Sequence, residues 1–443
     1  MKFPKEPIKY KLYDESIIHD ESKWNINNAH DPASFKDIDT YYVFSTDAKY
    51  GGPPTGGIQI RKSKDLIEWE FVGHAFDEIP KDAYDWTGAK GLWAPEVAKF
   101  GDTYYLYYAA SQFGKTQSFI GVATSQSIEG PWQDQGAVVK SQQDVPGPNA
   151  IDPNITFDRD GNPWLVYGSF FGGLYVFPID PATGKKRAGS KEILVAKRHT
   201  SVEAAIEGPY IVYHPEFDEY YLFVSYDSLF KNYHIRVGRS RSIEGPYLDY
   251  DGNEMTNLEL PPNEVGMKIL GGYKFGDKEG WIAPGHNSVL QDGNDYYIVH
   301  HARGEKDPHW HYLHVRKIVW TEDGWPLVSP ERYAGEEEQP VNPSLMNGKW
   351  EYVWMDKNEH ELIPSRSITL PAKGEGVWEY KKDNIFEVHL DEKHCEIIVL
   401  PAWDWENWNE TLVFTGKDQQ GNVVIGKKSR VVEGSRGNGS KCI

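Results

Sequence analysis

One pattern returns five times along the chain: a short polar opening with a proline, a strand, a turn, and then an aromatic strand of the type "YYLYY". Its copies are "HDPASFKDIDTYYVFSTD" from His30, "APEVAKFGDTYYLYYAAS" from Ala94, "IDPNITFDRDGNPWLVYGSF" from Ile151, "IEGPYIVYHPEFDEYYLFVSYDS" from Ile206 and "APGHNSVLQDGNDYYIVHHAR" from Ala283. Several copies continue into a third strand and a shared closing phrase: "IQIRKSKDLIEWEFVG", "IGVATSQSIEGPWQDQG" and "IRVGRSRSIEGPYLDYDG". Four strands per unit, repeated radially, predict the blades of an all-β, five-bladed β-propeller over roughly residues 20–330. The composition agrees, with 14% aromatic residues, 42 Gly and 28 Pro, a mix that suits short strands and tight turns rather than a helical bundle.

The repeat fades after about Gly335. "GVWEYKKDNIFEVHLDEKHCEIIVLPAWDWENWNETLVFTG" still alternates like strands, so a small C-terminal β-domain, barrel or sandwich, is expected. "GEEEQPVNPS" reads as the linker, which divides the chain into 1–334 and 335–443, the second ending in a disordered tail. Of the two cysteines, Cys395 and Cys442, no structural disulfide is expected. A formal charge of −19 disfavours nucleic acid and anionic membranes as partners, and no stretch is apolar enough to span a bilayer. The start "MKFPKEPIKYKLYDES" lacks the apolar core of a signal peptide, which fits a secreted protein without its leader, or a cytoplasmic or periplasmic one.

The first strand of each propeller blade lines the central channel, so the opening motifs converge on one axis. Aligning them places Asp31, Pro95, Asp152, Glu207 and His286 at equivalent positions. Proline belongs at a strand start and restricts the residue before it, so Asp31 and Asp152 are expected in an extended conformation. An Asp-Pro pair alone marks a turn, as at Asp180 in "IDPATGKK". Three acids at one phase of a repeat are different: gathering them costs repulsion and points to chemistry, with glycoside hydrolysis by paired carboxylates the reaction that needs them.

With "HDP", "AIDPN" and "IEGPY" on a five-bladed propeller, residues 20–330 resemble glycoside hydrolase family 43. The resemblance implies an inverting mechanism with Asp31 as general base, Glu207 as general acid, and Asp152 tuning and orienting the acid. Glu203, in "SVEAAIEGPY", is the rival for the acid, set aside because Glu207 shares the phase of the aspartates. "NAIDPN", "YGSFFGGLY" and "RHTSVEAAIEGPY" are similar to the family's endo-α-1,5-L-arabinanases, which implies arabinan or arabino-oligosaccharide as substrate and contacts from Asn149, Ala150, Ser169, Phe170 and Phe171. Trp93, placed to stack on a pentose ring, and Gly114 join that set. His286 is implied as the protein ligand of a calcium ion at the channel centre, mostly water-coordinated, whereas His30, His300 and His301 carry no comparable signal. The segment after 340 resembles the C-terminal domain of two-domain arabinanases, and its "PAWDWENWNE" reads as sugar-stacking surface or as interface. A monomer is expected. Exo-acting α-L-arabinofuranosidase or β-xylosidase activity, a retaining sucrose-acting enzyme, and a non-catalytic glycan-binding propeller are the alternatives.

Overall fold

The computed structural model describes residues 1–54 and 56–429; Cys442 and the expected tail lie outside them. Among the described residues, thirty strands and one seven-residue α-helix, Lys81–Thr87, make an all-β molecule. Blade 1 is Ala33–Asp37, Thr40–Ser45, Gln59–Ser63 and Glu70–His74, each strand antiparallel to the next. Blade 2 begins with Leu92–Phe100, blade 3 with Asn154–Phe157, blade 4 with Ile206–His214 and blade 5 with Trp281–Asp292. Blades 1, 2 and 4 have four strands, while blade 3 carries five and blade 5 is extended to six.

The aromatic strands explain the ring. In Thr103–Ala110, Tyr104, Leu106, Tyr108 and Ala110 pack toward blade 1, and the alternate residues Tyr105 and Tyr107 pack toward blade 3. Successive side chains of a strand point to opposite faces, so a strand that is apolar at every position must be covered on both. Each junction between neighbouring blades accordingly holds its own apolar cluster. Burial contributes about 1.5–3 kcal/mol per large apolar side chain. The ring closes through the N-terminal segment: Leu313 N–H donates to Ile26 O (2.7 Å), Asn28 N–H to His311 O (3.1 Å), and the buried Arg61 caps Asn25 O and Asn27 O.

The C-terminal half-barrel is one seven-stranded antiparallel sheet built from Gly348–Trp354 to Val423–Lys428. Its long strand Lys393–Asp404 again has two covered faces, with Ile397 and Val399 in the domain's own core and Ile398 and Leu400 against blades 4 and 5. A short parallel pairing of Tyr273–Lys274 with Ile363–Pro364 joins this part of the chain to blade 5. The expected linker is packed down: Glu336 is buried, accepts from Ala334 N–H (2.8 Å), and burial pushes its carboxyl up to about 7. "PAWDWENWNE" is interface, since Trp403 and Trp405 are buried beside Ala334 and Ile67, and Trp405 Nε1 donates to Arg332 O (2.7 Å).

Candidate active site

The inner strands share a defect that the sequence hides. In blades 2, 4 and 5 the register slips between Trp93 and Glu96, Glu207 and Tyr210, and Gly285 and Ser288, with two residues facing one on the partner strand. The first unpaired residue is left-handed each time: Ala94 (φ 37°), Gly208 (φ 57°) and His286 (φ 46°). Asp31 (φ 50°) and Asp152 (φ 58°) occupy the same place in blades 1 and 3. These are β-bulges with a left-handed first residue, a device that re-aims side chains.

Two expectations are thereby corrected. Asp31 and Asp152 are not extended: proline chiefly bars the right-handed helical region to its predecessor, and aspartate tolerates the left-handed one. The repeat phase of the aspartates is held by Ala94 and Gly208, not by Pro95 and Glu207; Glu207 sits one residue earlier, level with Trp93, and its longer side chain covers the difference. The stated reason for preferring Glu207 over Glu203 therefore fails. The geometry separates them on other grounds, because Glu203 is exposed at the end of a 3-10 turn, outside the cleft lining.

All three acids face one cleft of about 710 Å³ at the mouth of the channel. Trp93, Gly114, Asn149, Ser169, Phe170, Phe171 and His286 line it as well. Ala150 does not: its side chain is fully buried between blades 2 and 3, and its N–H is taken by Ser141 Oγ (3.0 Å), leaving its neighbours Asn149 and Ile151 to face the cleft. The sequence reading missed Thr46, Phe113, Phe230 and Arg303, which also line it.

Asp31 is held by a network. Thr46 Oγ1 donates to Oδ2 (2.5 Å), while His30 Nδ1 (2.8 Å), His286 Nδ1 (3.2 Å) and His301 Nδ1 (3.7 Å) surround Oδ1. Arg303 Nη2 donates to His30 Nε2 (2.9 Å), which leaves Nδ1 as the protonated nitrogen of a neutral ring, donating to the carboxylate. Burial alone would raise Asp31, but these imidazoles outweigh it and hold the carboxyl well below its ordinary range. Glu207 is the opposite case. Ser169 Oγ donates to its Oε2 (2.9 Å), yet burial first, and Asp152 second, push it up to about 7. Asp152, raised by burial and by Asp31, accepts from Gly208 N–H (3.1 Å) and so anchors the bulge beside Glu207. One carboxyl held low and another pushed up toward neutrality form the kind of pair that general acid–base catalysis uses.

His30, Asp31 and His301 bring ligand atoms within 4.8 Å of one another and could hold a metal, a grouping that the sequence reading passed over. His286, the expected ligand, lies beside this group. These donors are rich in nitrogen, whereas calcium takes oxygen.

Comparison with known proteins agrees with this geometry. The family described as "Glycosyl hydrolases family 43" matches residues 26–326, and "C-terminal lipocalin-like domain" matches residues 330–426. An extracellular endo-alpha-(1->5)-L-arabinanase of Thermotoga petrophila is 33% identical over 93% of this chain and 96% of its own. An extracellular exo-alpha-(1->5)-L-arabinofuranosidase of Cellvibrio japonicus is 34% identical over 68% of this chain and 86% of its own. The crystal structure of an endo-1,5-alpha-L-arabinanase from Thermotoga petrophila superposes with a TM-score of 0.80 at 30% identity, covering 91% of this chain and 99% of that one. The bulged propeller, with its three acids in one cleft, belongs to glycosyl hydrolase family 43.

Proposed function

We propose that the protein is an endo-acting α-1,5-L-arabinanase that hydrolyses arabinan with inversion. The observation that carries this reading is two contrasting environments in one cleft: Asp31 ringed by Thr46, His30 and His286, which hold its carboxyl low, and Glu207 beside Ser169, where burial pushes the carboxyl up to about 7. Asp31 takes the proton of the attacking water, and Glu207 gives its proton to the leaving oxygen. Asp152 holds the Gly208 amide, and through it the aim of Glu207. Trp93, Phe170 and Phe171 offer apolar surface to the furanose rings, while Asn149 and Ser169 offer hydrogen bonds. The catalytic unit is assigned to 1–334 and the second domain to 335–443, in a monomer; action outside the cell is supported by relatives whose names describe them as extracellular. No helix among the described residues is long and apolar enough to cross a membrane.

A calcium ion beside His286, as the resemblance implies, would take nearly all of its shell from water, with Asp31 the carboxylate next to that imidazole. Its charge would offset the clustered acids; the proton transfers above are derived without it. Exo-cleavage is the second reading, supported by the Cellvibrio relative that matches the propeller. The test is the product profile on debranched arabinan, with and without a chelator. Mixed oligosaccharides early in the reaction, with the inverted anomer seen by NMR, are expected. Arabinose as the sole early product would establish the exo reading, and net retention would end the inverting one. Activity lost with chelator and restored by calcium supports the ion.

A further inference from the structure

The loop 227–234 of blade 4 touches the site on one side and the C-terminal domain on the other. On the cleft side, Leu229 and Phe230 line the wall, with Phe230 48% exposed. Tyr233 is buried, and its hydroxyl is turned to the Glu207 carboxyl. Its ring stacks on His301 (5.8 Å) and lies so close to Gly285 that a Cβ there would sit 2.0 Å from it. The aim of Tyr233 is therefore fixed by backbone, and Glu207 is met by Ser169 from one blade and Tyr233 from this loop.

On the far side, residues 356–361 of the C-terminal domain grip the same loop. His360 stacks on His234 (5.0 Å) and places Nδ1 3.5 Å from Asp227 Oδ2, at the two ends of the loop. Glu361 pairs with Lys231 in its middle (2.5 Å). Two buried propeller cations fix the gripping segment through its carbonyls: Arg236 Nη2 donates to Lys357 O (2.6 Å), and Lys268 Nζ to Asp356 O (3.0 Å). Asp227, His234 and His360 converge as a metal-like trio. However, Arg198 is paired with Asp227, and His234 is engaged through both nitrogens by Asn232 O and Arg236 Nε, so the trio serves as a joint.

We propose that the C-terminal domain takes part in catalysis through this joint: residues 356–361 hold the loop 227–234, and Tyr233 on that loop is a positioning residue for Glu207. The proposal rests on Glu207 as the proton donor. A small misplacement of a catalytic group from a distance is enough to cost about 10²-fold in rate.

The test is a double-mutant cycle of Tyr233→Phe and His360→Ala in the full chain. Two substrates are used: debranched arabinan, and a 4-nitrophenyl arabino-oligosaccharide whose leaving group needs no protonation. Each single variant is expected to lower turnover of arabinan by about 10- to 100-fold and to leave the nitrophenyl substrate nearly unchanged. The double variant is expected to be no worse than the poorer single. Additive losses, or equal losses on both substrates, would overturn the proposal. Lys382→Ala, which removes an exposed pair with Glu322 elsewhere between the two domains, is expected to behave as wild type; an equal loss there would overturn the specific route. Hydrogen exchange of amides 228–233 reads the joint without activity: faster exchange in His360→Ala supports it, and unchanged exchange refutes it. A wild-type protein inert on arabinan would instead defeat the assigned function, leaving the exchange result to stand alone.

Discussion

Among the described residues, two sets of three buried or half-buried carboxylates meet, and they are treated differently. Asp31, Asp152 and Glu207 meet at the channel mouth, where imidazoles, hydroxyls and a backbone amide surround them. Glu331, Asp404 and Glu406 meet between the propeller and the C-terminal domain, where one ammonium serves all three. Lys427 Nζ lies 2.7 Å from Glu331, 3.0 Å from Asp404 and 2.7 Å from Glu406. In both sets one acid is pushed up and another held down: Glu207 and Glu331 rise through burial, whereas Asp31 and Glu406 are lowered against it by the cations or imidazoles beside them. The difference is the lysine. Where one ammonium pairs with every member, the cluster is a fastener; where the acids line an open cleft and are held by imidazoles, hydroxyls and an amide, they stay available to a substrate.

The comparison breaks if the two sets respond alike to losing a member. Glu207→Gln and Asp31→Asn are expected to lower turnover of arabinan by about 10²–10⁴-fold with the urea unfolding midpoint unchanged. A variant near wild-type activity would remove that residue from the mechanism. Lys427→Met is expected to do the reverse, leaving three buried acids without their cation. Stability should fall by about 3–5 kcal/mol in urea titration, while the folded fraction keeps its specific activity. A midpoint that does not move would mean that the fastener carries no load.

The finest test separates the causes acting on Glu207. With its carboxyl pushed up to about 7, Glu207 is protonated below that pH and loses its proton above it, so kcat/KM should decline as pH rises through about 7. Asp152→Asn keeps an acceptor for the Gly208 amide but removes the second cause of the shift, so the alkaline limb should move modestly to lower pH. Asp152→Ala also loses the anchor and should lower turnover further than Asn does. A limb that stays fixed in Asp152→Asn would leave burial as the whole cause.

Much of this was legible in the residues. Aromatic strands recurring after Asp-Pro or Gly-Pro openings announce blades because a strand apolar on every residue must be sandwiched. The acids of the cleft follow from that repeat. What escaped reading is backbone geometry: nothing in "DP" or "AP" says that the first residue turns left-handed, so the phase of Glu207 came out one residue wrong, and Ala150 was placed in the cleft when its side chain points between blades. Tyr233 was missed because it sits in no motif, and Arg303 because it closes the fifth copy of the repeat, away from the opening positions that were aligned. Their importance comes from where strand ends from distant parts of the chain meet. His30 was the one neighbour in plain view, adjacent to Asp31, yet its role depends on Arg303, 273 residues away.

The ring is latched by residues 26–28 against 311–313, a fact that sets a timetable. On a ribosome adding about 5–20 residues per second, the first partner of that latch waits for roughly 280 more residues, which is of the order of a quarter-minute to a minute. His30 and Asp31 stand immediately after the early half, and His286, His301 and Arg303 just before the late half. The cleft of the three acids is therefore a seam, brought into being by the last blade to emerge, and a chain halted before that blade already carries all three acids yet lacks His286, His301 and Arg303 around them.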